Sequence, residues 1–202
     1  MNHNRRDLAH LMDNISSIPD DGIDEILSEI FLDDAITWEI GPDPINDEIT
    51  VLALGCHGDL ILLDIMEKDL NLPMDGQGWK IVAGIPPKSW EGYFEMIGSD
   101  GLVLQIEGWD WQWSIAELNK DKASITIFYP EEYKIGAADI ENAGEIILFG
   151  SIGEVNTSRH ISVDHYLPIS EGVNHNSMST LREEFSKWFP DAPFSQDFKN
   201  IK

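Results

Sequence analysis

The sequence has a single cysteine, Cys56, so no internal disulfide can form and no cysteine cluster exists to hold zinc. Bases are scarce. Thirteen Lys and Arg stand against thirty-seven Asp and Glu, a formal net charge of −24 with a pI near 4.3. Nucleic acids and anionic membranes draw their affinity from basic side chains, so both are disfavoured as partners. Long apolar runs are missing too. The longest, near Leu60 to Met66, is interrupted by Asp64 and is far too short to span a bilayer. Arg5 and Arg6 are followed by no apolar stretch, so the N-terminus reads as neither a secretory nor a twin-arginine signal. A reduced, soluble, cytoplasmic protein is expected. No nucleophile elbow, phosphate loop or dinucleotide fingerprint occurs.

What is present is ordinary globular composition, 42% hydrophobic and 25% charged over 202 residues. It predicts one domain with a core that needs no staples. Leu8, Leu11, Met12 and Ile15 are spaced for one helix, and Ile23, Ile26, Leu27, Ile30 and Phe31 for a second whose first turn carries Asp20, Asp21, Asp24 and Glu25. Strands are predicted at Ile36–Ile40 and Ile49–Leu54, with a turn at Gly41-Pro42-Asp43-Pro44 between them. Asp59 is placed to cap a helix running to Leu70. Further strands fit Trp79–Ile85, Tyr93–Ile97, Leu102–Ile106, Trp111–Leu118 and Ala123–Tyr129, with hairpin loops at Gly98–Gly101 and Asn119–Lys122. A helix over Ile135–Phe149, a strand over His160–Tyr166 and a last helix opened by a Thr180–Glu183 capping box complete the chain. Strands joined by short turns imply antiparallel pairing. The predicted class is α+β, a largely antiparallel sheet with helices packed on it: a helical segment at 1–32, a sheet core at 33–168, and a C-terminal helix and tail at 169–202.

Four stretches carry a resemblance: Ile36–Pro42 (ITWEIGP), Gly78–Pro87 (GWKIVAGIPP), Ile125–Pro130 (ITIFYP) and Leu148–Glu154 (LFGSIGE). In this order they resemble a loose family of uncharacterised bacterial α+β proteins, over roughly residues 30 to 168. The resemblance implies the fold and a bacterial cytosolic setting, and it assigns no catalytic residue. The motif glycines and prolines are explicable as strand and helix ends.

Several constellations invite chemistry. Trp109, Trp111 and Trp113 alternate, so an extended chain would put them on one face, as a platform for a sugar ring or as core; core is favoured for at least two. Cys56 and His57 are chain neighbours inside Gly55–Gly58, a poor geometry for a nucleophile and its base and a good one for a turn. His160 and Asp164 share a strand face at about 13 Å, too far apart for one ion, and His165 faces the other way; His175 sits in a loop. Doublets such as Asp20/Asp21, Asp33/Asp34 and Glu131/Glu132 are inevitable with so many acids. No cofactor, no metal and no enzymatic activity is expected.

The distribution of charge says more than its total. No Lys or Arg occurs between Arg6 and Lys68, while that stretch holds sixteen acids. It reads as a solvated face or as a surface that steers a basic partner. In size, acidity and compartment the chain resembles bacterial immunity proteins against basic nuclease toxins. The expected function is therefore a non-enzymatic protein-binding module, with Glu39, Asp43, Asp47 and Glu48 at the partner surface. The alternative is a small-molecule or carbohydrate site on Trp109, Trp111 and Trp113.

Overall fold

A computed structural model describes residues 3–14, 17–31, 36–43, 46, 48–70, 78–170 and 175–192. The fold is α+β, and the chain divides into two compact units, 1–85 and 86–202. The boundary falls at Pro86-Pro87, where neither residue can donate a backbone hydrogen bond.

In the first unit, α1 (His3–Asn14) and α2 (Asp20–Phe31) bury Leu8, Leu11, Met12, Ile23, Leu27 and Ile30, the apolar positions that recur at helical spacing. Ile15 and the Asp33/Asp34 doublet lie outside the described residues. The strands β1 (Thr37–Pro42), β2 (Thr50–Gly55) and β3 (Trp79–Ala83) form one sheet in that order. Central β2 buries successive residues from Val51 to Leu54, which is why its sequence is apolar without alternation. Between β2 and β3 runs α3 (Leu60–Leu70). Asp59 caps it, its Oδ1 accepting from the N–H groups of Ile61 at 2.8 Å and Leu62 at 3.1 Å.

In the second unit β4 (Tyr93–Ile97) and β5 (Val103–Glu107) form a hairpin. A second sheet has the order β8-β7-β6-β9, from β6 (Gln112–Leu118), β7 (Ala123–Tyr129), β8 (Ile161–Pro168) and the short β9 (Asn176–Ser177). Against it pack α4 (Ala137–Ile152), α5 (Glu154–His160) and α6 (Leu181–Trp188), around Trp111, Trp113, Ile125, Ile127, Ile147 and Phe185. Gly153, at φ 85°, ends α4.

Two strand pairs are parallel, β2 with β3 and β7 with β8, because in each case a helix carries the chain back across the sheet. Both units therefore use the same order: an antiparallel pair, a helical crossover, then a strand parallel to the second. Further details differ from the sequence reading, among them α5, which takes His160 out of the predicted strand. The strand β1 continues through Gly41 and Pro42, since Pro42 lies on a sheet edge that tolerates it. The Thr180 capping box does not form. A 3₁₀ turn at Met178–Thr180 begins the helical path early, so Thr180 is already helical and its hydroxyl donates to the Ser177 carbonyl at 2.7 Å. In β8 the register shifts past Asp164, which breaks the expected alternation and leaves both Val163 and Tyr166 packed against the core. Tyr166 then meets α4 at Gly144, where a Cβ would lie 2.3 Å from its Cε1.

Candidate functional site

The acidic candidates in the first unit meet different fates. Glu39 is exposed on β1, and neighbouring Trp38 donates its Nε1–H to Asp24 Oδ1 on α2 at 2.6 Å. Glu48 is exposed in the β1–β2 connection. Asp43 does not project. It is 5% exposed, its Oδ1 accepts from the Asn46 N–H at 3.0 Å, and its Oδ2 is ion-paired with Lys80 on β3. Its carboxylate is therefore already engaged by the protein itself. Asp47 lies outside the described residues. Exposed carboxylates also come from Asp24, Glu25 and Glu29 on α2, and from Asp59 and Asp64 at α3. On α3, Leu60, Ile61 and Ile65 are exposed, Ile61 by 76%.

The three alternating tryptophans do not form a ladder. Residues Gly108–Asp110 make a 3₁₀ turn, so the extended geometry begins only after Trp109. Trp111 and Trp113 are core, 0% and 2% exposed, and Trp113 donates its Nε1–H to the Ser177 carbonyl at 3.1 Å. Trp109 is half-buried and lies against Gly92, a residue at φ 82° where a Cβ would come within 2.6 Å of the indole.

The turn sends Trp109 to the wall of a cavity in the second unit. This cavity, about 220 Å³, is lined by Lys88, Ser89, Trp90, Trp109, Ser151, Met178, Ser179 and Arg182. Trp90 stands edge-on to Trp109 with ring centroids 6.0 Å apart, stacks on Phe94 at 5.7 Å, and rests on α4 at Gly150. Arg182 projects from the first turn of α6 and holds the end of α4. Its Nε donates to the Ser151 carbonyl at 2.6 Å, and its Nη2 donates to the carbonyls of Lys88 at 2.6 Å and Gly150 at 3.1 Å. The last carbonyls of a helix lack intrahelical partners and carry partial negative charge, so a guanidinium satisfies both needs there. Burial pulls the Arg182 pKa below its ordinary value, yet the group stays charged. Two buried donors beside it, Ser151 Oγ and Trp90 Nε1, have no hydrogen-bond partner. Sequence reading missed this site because its residues come from four separate stretches of chain, and only Trp109 drew attention.

Most of the remaining candidates are held in structural contacts. Cys56 is buried, and His57 stands exposed in a turn at φ 50°. His160 ends α5, bonds the Asp121 carbonyl at 2.9 Å through Nδ1 and stacks on Phe189 at 4.8 Å. His175 stacks on Phe128 at 3.5 Å. Asp164 accepts from the Ser124 hydroxyl. Among the described residues no three His, Cys, Asp or Glu side chains are grouped to hold a metal, and no helix is long and apolar enough to cross a membrane. No family model, no curated protein and no solved structure matches the chain.

Proposed function

We propose that the chain is a non-enzymatic, cytoplasmic protein-binding module whose acidic first unit engages a basic protein, in the manner of an immunity protein or inhibitor. The observation that carries the reading is the coincidence of charge and apolar surface on one short helix. The α3 stretch exposes Leu60, Ile61 and Ile65 beside the exposed carboxylates of Asp59 and Asp64. Charge of one sign accelerates encounter, while a few apolar anchors set how long a complex lasts. Glu39 and Glu48 add exposed negative charge in the same unit. Asp43 is dropped from the partner surface because Lys80 already engages it.

Surface plasmon resonance against a basic protein partner tests the reading. Association should slow as salt rises, and should slow again in the Glu39→Gln/Glu48→Gln/Asp64→Asn variant. Ile61→Ala should mainly quicken dissociation. A bound partner whose kinetics ignore salt and all four substitutions would leave the acidic surface as a solubility device only.

A further inference from the structure

We propose that the cavity between Trp90, Trp109 and Arg182 binds a small organic oxyanion, a carboxylate or phosphate carried on a flat apolar body. Three independent observations converge on this chemistry. The first is charge. In a chain with thirty-seven acids and thirteen bases, the eight lining residues include Lys88 and Arg182 and no acid at all.

The second is hydrogen-bonding polarity. The backbone carbonyls of Lys88 and Ser151, which line the site, and of neighbouring Gly150 already accept from Arg182. The side chains with unused capacity can give protons. Ser151 is 2% exposed, its Oγ is buried without a partner, and the indole Nε1–H of Trp90 is in the same position. An indole N–H can only donate, and a hydroxyl can donate as readily as accept. Buried polar groups are normally satisfied, so two unpaired donors at one cavity ask for an acceptor. An oxyanion offers several lone pairs to a site whose lining carries two bases and no acid.

The third is shape. Trp90, Trp109 and Met178 supply flat and apolar walls, suited to the body of the ligand rather than its charge. The cavity volume of about 220 Å³ falls below the roughly 300–1,000 Å³ of drug-sized pockets, which limits the ligand to the size of a single ring with one anionic group. The lining residues of this site all belong to 86–202, and the acids assigned to a partner surface all belong to 1–85.

Trp90 and Trp109 provide the readout. Tryptophan fluorescence and calorimetric titrations of the full chain use benzoate, phenyl phosphate, inorganic phosphate, benzyl alcohol and benzylamine as probes. Benzoate or phenyl phosphate should bind saturably, and the neutral and cationic analogues at least about tenfold more weakly, the worth of a charge-assisted hydrogen bond. Whichever of the two anions binds more tightly identifies the headgroup. Lys88→Gln and Ser151→Ala should each weaken binding by about three- to tenfold. Ser151→Ala removes a hydroxyl that bonds nothing, so its far-ultraviolet dichroism and melting temperature serve as the control that the fold is intact. Trp90→Phe keeps an aromatic wall but deletes the N–H, and should weaken binding without abolishing it. Three outcomes overturn the proposal: no saturable binding by either organic anion, benzyl alcohol binding as tightly as benzoate, or affinities indifferent to Lys88→Gln and Ser151→Ala. Inorganic phosphate binding as tightly as both organic anions would overturn the role assigned to the indole walls.

Discussion

Substituting Gly150 with alanine sets two effects of opposite sign against each other. Gly150 lies in the last turns of α4, so helix propensity alone would make alanine stabilising by about 1 kcal/mol. Packing opposes this. A Cβ at Gly150 would stand 2.2 Å from Cζ2, 2.6 Å from Cε2 and 2.8 Å from Cη2 of Trp90. The ring has little room to yield, since Phe94 stacks on it and Trp109 meets it edge-on. Overpacking of this kind costs roughly 1–3 kcal/mol, and a clash with three atoms of a rigid indole belongs at the upper end. The net expectation is a loss of about 1–2 kcal/mol. Urea unfolding followed by tryptophan fluorescence is well suited to measure it, because five of the seven tryptophans lie in 86–202. With a urea dependence of roughly 1–3 kcal/mol/M, the midpoint should fall by several tenths of a molar unit or more at unchanged slope. Trp90→Ala should relieve the penalty, so that Gly150→Ala in that background turns neutral or stabilising. A midpoint that rises by the propensity term in the wild-type background would refute the close approach of Trp90 to α4, and with it the cavity wall.

Two other outcomes follow from buried charge. Asp43→Asn should lower stability by about 1–3 kcal/mol in chemical denaturation, since it removes the buried carboxylate that pairs with Lys80, and it should leave partner association rates unchanged. Burial, with Glu145 and Glu141 nearby, pushes the Tyr166 pKa up to about 12, so the folded state keeps a phenolic proton that the unfolded state gives up near pH 10. Stability should therefore fall as pH rises from 10 to 12, by on the order of 2–3 kcal/mol, and Tyr166→Phe should flatten that part of the denaturation profile; a slope unchanged in the variant would refute the assignment.

The elements were legible wherever a local signal coincided with the burial that tertiary packing imposes. Asp59 stands one residue before an apolar run and caps α3; Gly153 ends α4; Asn119 closes the β6–β7 hairpin by accepting from the N–H groups of Asp121 and Lys122, each at 2.9 Å. The pairing direction was not legible for β3 and β8, because a strand's own sequence carries no mark of which neighbour it joins after a helix. The 3₁₀ turn at Gly108–Asp110 was hidden by the period-two spacing of Trp109, Trp111 and Trp113, a pattern that reads as a strand, whereas Trp111 donates its N–H to the Gly108 carbonyl at 3.2 Å and closes a turn. That one bond separates Trp109, at the cavity, from Trp111 and Trp113 in the core. The alternation of β8 failed for a related reason, since a single extra residue at Asp164 reverses every side chain beyond it.

The acids drew attention in the sequence, yet in a chain so rich in them the positions of the bases discriminate better. Thirty-seven acids guarantee exposed carboxylates on nearly any element, so a given Asp or Glu says little about its surroundings. Thirteen bases guarantee nothing, and several are placed where folding has a specific use for them. Lys80 neutralises Asp43, which is buried at the end of β1. Lys187 reaches Glu183 at 2.9 Å and Glu184 at 2.7 Å along an exposed turn of α6, a pairing worth only a few tenths of a kcal/mol. Arg182 gathers three carbonyls from the end of α4 and from Lys88, tying α6 to both. Its position is fixed by those bonds whether or not anything enters the cavity, so its charge is preorganised there. A ligand would not have to order a long flexible side chain on arrival, which removes part of the entropic cost of binding. The same rigidity explains why the fold tolerates two buried donors without partners beside the cavity: the scaffold around it is held by carbonyl bonds and by the Gly150–Trp90 contact, not by the polar groups left over.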